Sequence, residues 1–133
     1  MISSGKSVSS PVSVYRDKSG TPIGILIQTL DDSFVIGLHD LKEDMDWDTA
    51  MREHRKELMD MKQWFIVAAY IEEIDNLLES VGGDRIKVDI TYYWSSVEYN
   101  TFYAWGYSGH YGALSYHNKY YRYSVRPLLA FEV

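Results

Sequence analysis

Between Tyr92 and Pro127 the chain carries only four charged side chains, Glu98, Lys119, Arg122 and Arg126, yet 13 of its 20 aromatic residues lie between Tyr92 and Tyr123. Tyr, Ser, Gly, Asn and His fill most of the rest. This is not the make-up of a core. Interiors are built from Leu, Ile, Val and Phe, because a buried polar atom without a partner costs free energy. So many tyrosine hydroxyls cannot all find partners inside a small domain. The block has the composition of a contact surface instead. Tyrosine supplies a large area at little rotamer cost, with a hydroxyl to bond, and Ser, Gly and Asn adapt around it. For any single ring, packing inside an irregular domain with the hydroxyl reaching water is the competing reading.

The preceding part of the chain is of another kind. From Asp31 to Glu79 there are 14 acidic residues against 5 basic ones. With 133 residues the chain has the length of one domain with a core of its own. A net charge of -6 argues against a phosphate-tracking protein, so no nucleic-acid partner is expected. The absence of cysteine removes disulfides, thiolate metal sites and cysteine nucleophiles. The first residues hold no apolar run of the signal-peptide kind, and stretches such as Ile23–Ile27 and Trp64–Tyr70 are too short to span a bilayer. No membrane insertion is expected. Residues 1–11 are Ser/Gly-rich and read as a loose arm, and residues 12–133 as one domain.

Periodicity places the elements. Val12–Tyr15 alternates as a short strand, and Asp17–Pro22 is turn chemistry. Ile23–Leu30 and Ser33–Leu38 form a hairpin about Asp31-Asp32. Asp46 caps a first helix, along which Trp47, Ala50, Met51, His54, Leu58 and Met61 make one apolar stripe. A second helix runs from about Ala69 to Ser80, burying Ile71, Ile74, Leu77, Leu78 and Val81, and Gly82-Gly83 ends it. Ile86–Ile90 and Val125–Val133 read as strands. The fold class is α+β: two helices and an antiparallel sheet, followed by a loop-rich C-terminal half.

Tyr93-Trp-Ser-Ser-Val-Glu-Tyr-Asn100, then Ala104-Trp105, Gly112, Lys119 and Val125-Arg-Pro127, resemble the C-terminal signature of the variable proteins of diversity-generating retroelements. Thr21-Pro-Ile-Gly24, Met45-Asp-Trp-Asp-Thr-Ala-Met51 and Gly82-Gly83 follow the family's order upstream. Phe65-Ile-Val-Ala-Ala69 departs from the family's usual Leu-Pro-Thr-type approach to the second helix. The resemblance implies a C-type lectin fold displaying a hypervariable ligand-binding surface, with a variable region at about 94–127. Adenines of a template repeat are copied with errors in that family, so Asn codons become many others but never Trp, Met, Lys, Gln or Glu. Those five types fill 26 positions of this chain. Within Gly106–Ser124 roughly four would be expected on composition, and only Lys119 is present.

The family frame implies ligand-binding, variable positions at Phe102, Tyr103, Tyr107, Ser108, His110, Tyr111, Ala113, Ser115, Tyr116, His117, Asn118, Tyr120, Tyr121 and Arg122. It implies scaffold at Trp94, Ser95, Ser96, Trp105, Gly112, Arg126 and Pro127. Binding residues on loops held by a rigid scaffold can change without unfolding the domain. Arg126 is suited to bonding the carbonyls of irregular loops. The expected partner is a protein or glycan receptor met at a phage tail tip or a bacterial surface.

Other chemistry finds little support. The Glu-Pro-Asn, Gln-Pro-Asp and Trp-Asn-Asp segments of calcium-dependent sugar binding do not occur, and the tyrosine-rich half has one carboxylate, Glu98. The acidic Asp40–Asp46 reads better as a solvated loop with a helix cap than as a cation site. His39, His54, His110 and His117 lack metal-ligand spacing. Glu98 has no obvious carboxylate partner for sugar hydrolysis. No cofactor, metal or enzymatic activity is expected. A carbohydrate-binding or carbohydrate-active domain, and a fibre or adhesin subunit whose tyrosines make subunit contacts, are the alternatives.

Overall fold

The computed structural model describes residues 10–86, 88 and 91–130. The fold is α+β, with three helices and two antiparallel sheets among the described residues. Strands β1 (Val12–Arg16), β2 (Pro22–Gln28) and β3 (Ser33–Gly37) form a meander. Registers Val12↔Ile27, Val14↔Ile25, Ile25↔Ile36 and Ile27↔Phe34 set these apolar side chains on one face. That face closes on Ile74 and Leu78 and forms the larger core with Trp64, Val67 and Ile86. The short β7 (Leu128–Leu129) pairs with β3 and returns the C-terminal segment to this sheet. Of the expected strand Val125–Val133 only this dipeptide is extended among the described residues. Most of the expected strand Ile86–Ile90 lies outside them, as does most of the N-terminal arm.

The helical part differs from the single stripe that the sequence suggests. Helix α1 covers Trp47–His54, and Asp46 accepts from the Thr49 amide as its cap. A 3₁₀ turn follows at Arg55–Glu57, and Leu58 is extended. Instead of continuing the helix to Met61, the chain hands the Met59 carbonyl to the Ser96 amide, 2.9 Å away. Asp60 then starts α2 (Met61–Ala69) with a full capping box to Gln63. Tyr70 separates α2 from α3 (Ile71–Ser80). Among the described residues there are thus three helices where two were expected. Gly82, at φ +81°, closes α3 in the left-handed region that glycine tolerates.

The second sheet consists of β4 (Tyr92–Glu98), β5 (Tyr103–Ser108) and β6 (Ala113–Asn118). Trp64 of α2 lies beneath it, stacked on Tyr107 with centroids 4.7 Å apart and planes 8° off parallel. Its indole N–H donates to the Trp94 carbonyl. A smaller core on the other side of the sheet gathers Met45, Trp47, Ala50, Leu58, Trp94, Ala104 and Val125. A side chain at Gly106 would collide with the Tyr93 carbonyl, so the close approach of β4 and β5 requires glycine there.

Candidate functional site

The pleat of β5 and β6 divides the tyrosine-rich half between two faces. Registers Tyr103↔Asn118, Trp105↔Tyr116 and Tyr107↔Leu114 define the first, and Ala104↔His117, Gly106↔Ser115 and Ser108↔Ala113 the second.

On the first face, Tyr93, Tyr107 and Leu114 pack into the larger core with Trp64. Beyond this covered part the rings emerge. Tyr99 and Tyr116 stack at 4.1 Å with planes 5° apart. Trp105, half-buried, meets both edge-on, at 88° and 83°. Tyr103 lies edge-on to Tyr116. Phe102 and Tyr120 extend the cluster at the adjoining turns, 64% and 80% exposed. Offset and edge-on contacts of this kind stabilise ring clusters without burying them.

The turns beside these rings are fixed by groups other than the rings. Asn100 Oδ1 accepts from the Phe102 and Tyr103 amides, and Asn118 Oδ1 from the Tyr120 amide. Lys119 lies almost buried, its Nζ 4.8 Å from the centre of the Trp47 ring. It donates to Glu98 at 2.5 Å and to the Thr101 carbonyl at 2.9 Å. The Trp47 indole donates to the Ser95 carbonyl, the Trp94 indole to the Met45 carbonyl, and the Ser95 hydroxyl to the Trp105 carbonyl.

The second face carries the smaller core at Trp94 and Ala104 and, beside it, a half-buried polar group. His117 is half-buried, its Nδ1 3.1 Å from the Tyr123 hydroxyl and its Nε2 2.6 Å from Ser115 Oγ. Burial holds its imidazole below the usual histidine range. Tyr92 and Tyr123 stack at 5.1 Å beside it, and burial, then Tyr92 and Tyr121, pushes the Tyr123 hydroxyl up to about 12. Tyr121 is exposed next to Tyr123. Arg122 is exposed and donates to the Asp44 carbonyl at 2.6 Å. At the opposite end of the sheet, His110 and Tyr111 lie in the turn before β6, with Gly112 at φ +66°.

Two expected contact residues belong to the interior. Tyr107 is fully buried against Trp64, and burial, with the Asp75 charge, pushes its hydroxyl up to about 12. Ser108 is buried and its hydroxyl accepts from the Tyr111 amide, which fixes the turn. Phe102, Tyr103, Tyr111, Ala113, Tyr116, Tyr120, Tyr121, Arg122 and His110 are exposed, while Ser115, His117 and Asn118 are half-buried. Tyr99, 48% exposed and stacked on Tyr116, joins the exposed rings although it is not among the expected ligand-binding positions.

Among the scaffold residues, Arg126 is fully enclosed. Its guanidinium donates to Asp40 Oδ1 at 2.8 Å and to the carbonyls of Gly37, Leu38 and Asp84. Asp40 Oδ2 accepts from the Tyr93 hydroxyl. Pro127 is buried beside Gly37, Ser96 is half-buried, and Gly112 supplies the turn. The acidic segment is engaged by the fold: Asp40 holds Arg126, Asp44 Oδ1 accepts from the Ser124 hydroxyl, and Asp46 caps α1. Hydrogen bonds from Thr49 hold the Asp46 carboxyl below the usual range. Among the described residues no group of three or more His, Asp or Glu side chains is placed to hold a cation, and no helix is long and apolar enough to cross a membrane.

No protein-family model matches the chain, and no curated protein matches it. What fold and site define together is an α+β domain whose second sheet carries an exposed aromatic cluster on a separately anchored frame.

Proposed function

We propose that the chain is a non-enzymatic ligand-binding module: a C-type lectin-like scaffold presenting a diversifiable aromatic surface, as in the variable proteins of diversity-generating retroelements. The observation that carries this reading is the exposure of Tyr99, Phe102, Tyr103, Tyr116 and Tyr120 beside turns held by Asn100 and Lys119. Changing those rings leaves the anchors of the turns in place. Lys119 supports it further: the one residue of Gly106–Ser124 outside the set that template copying reaches is also the buried clamp of the turn. Affinity would reside in a few ring anchors, with the surrounding contacts supplying shape fit. The uncharged cluster suits a protein or neutral glycan receptor of a cell or virion surface. Glu98 is tied to Lys119, which weighs against a carbohydrate-active role for it.

The test is a displayed library randomised at Tyr99, Phe102, Tyr103, Tyr116, Tyr120 and Tyr121 and panned on immobilised lysozyme as an arbitrary protein target. Folded binders that differ at these positions are expected. A library that no longer displays folded protein overturns the reading. In the genome, a near-copy of the 3′ part of the gene that differs at adenines, beside a reverse transcriptase, is the matching observation.

A further inference from the structure

A second apolar surface lies on different elements and shares no residue with the aromatic cluster. Phe65, on the outer side of α2, is 69% exposed, and Leu30, at the β2–β3 turn, is fully exposed. Between them is a hollow of about 340 Å³ lined by Thr29, Asp31, Lys62, Phe65, Ile66, Ala69 and Tyr70. A neighbouring groove shares Thr29, Asp31 and Tyr70 with it and adds Leu30. Phe65 thus projects beside the hollow and Leu30 beside the adjoining groove, and the two depressions meet at Thr29, Asp31 and Tyr70.

We infer that this surface pairs with a second copy of the same chain. The patch has the two properties that a two-fold contact needs. A two-fold contact brings the same patch together from both sides, so each projecting group must find its own receptor on the partner. Here the projections Phe65 and Leu30 stand beside the hollow able to receive them. The charges repeat the arrangement. Lys62 and Asp31 line the same hollow with opposite signs, and neither is in an ion pair among the described residues. A two-fold axis through the hollow sets Lys62 of each copy opposite Asp31 of the other. Pairing here leaves both aromatic clusters uncovered, and two linked clusters on one receptor-bearing surface gain from effective concentration. The pairing is independent of the binding role proposed above.

Sedimentation velocity of the full chain, across the micromolar range, tests it. The apparent mass is expected to rise from 15.5 kDa toward twice that value with concentration. Phe65→Asp and Leu30→Asp are expected to give monomers with an unchanged melting transition. Lys62→Glu and Asp31→Lys alone are each expected to weaken pairing about tenfold, and the double exchange to restore it. A full chain that stays monomeric overturns the inference, whichever segment then lies on the hollow. So does pairing that survives Phe65→Asp but is lost on alanine substitution of Tyr116 and Tyr120, which would place the contact on the aromatic cluster.

Discussion

Tyr116 and His117 are neighbours on β6 whose rings serve opposite faces of the sheet. Tyr116 stacks on Tyr99 at 4.1 Å, and His117 lies edge-on to Tyr123 at 5.2 Å. A tyrosine-rich strand is therefore not one surface. Tyr116 belongs to a ring cluster with Tyr99, Tyr103 and Trp105, and His117 to a half-buried group with Ser115, Tyr92 and Tyr123.

Tyr107 separates burial from composition. Replacement by alanine removes the ring stacked on Trp64 and is expected to cost about 3–5 kcal/mol, as for other buried aromatics. Tyr107→Phe is expected to be neutral or stabilising, because the buried hydroxyl has no hydrogen-bond partner among the described residues. Urea unfolding of the two variants checks both. A large loss from Tyr107→Phe would mean that the hydroxyl is bonded.

This contrast shows what could be read from the sequence. The β2–β3 hairpin, the Asp46 cap and the glycine end of α3 followed from alternation and capping chemistry. The Arg126 bonds to carbonyls also matched the sequence reading. The break after His54 did not follow, since Leu58 and Met61 stay in phase with the α1 stripe while the backbone leaves to bond Ser96. Tyr103 and Tyr107 are chemically identical and share a face. Only the position of α2, which covers one and not the other, distinguishes them.

Arg126 is expected to be the most sensitive polar position. Its removal leaves Asp40 without its cation and strips a donor from each of three carbonyls. Asp40 keeps 30% of its side-chain surface in water, so the expected loss is about 1.5–3 kcal/mol, that of charge-assisted hydrogen bonds. Arg126→Lys is expected to recover only part of this, because an ammonium cannot reach the spread of acceptors that the planar fork reaches. Chemical denaturation of Arg126→Met and Arg126→Lys reads the difference.

Lys119→Met keeps the side-chain stem over Trp47 and removes the charge that bonds Glu98 and the Thr101 carbonyl. Glu98 is more than half exposed, so the expected loss is modest, about 1–2 kcal/mol. Hydrogen exchange is expected to rise mainly at the Tyr99–Tyr103 turn. A uniform rise across the sheet would contradict a local clamp.

His117 sets a pH dependence. The unfolded histidine takes up its proton near 6.5, and the buried one only at lower pH. Between those values the unfolded state binds more protons, so stability falls as pH drops below about 6.5 and the loss is complete once folded His117 is itself protonated. The slope of unfolding free energy against pH over this window is expected to lessen in His117→Gln. An unchanged slope would assign it to other groups.

On the proposed function the exposed rings serve contact and not the fold. The most direct measurement is the melting transition of Tyr103, Tyr116 and Tyr120 replaced together by alanine, paired with affinity for a protein target selected from the displayed library. A transition within a few degrees of the parent, with binding lost at least a hundredfold, is the expected result. A variant that unfolds, or one that keeps its affinity, would contradict the account.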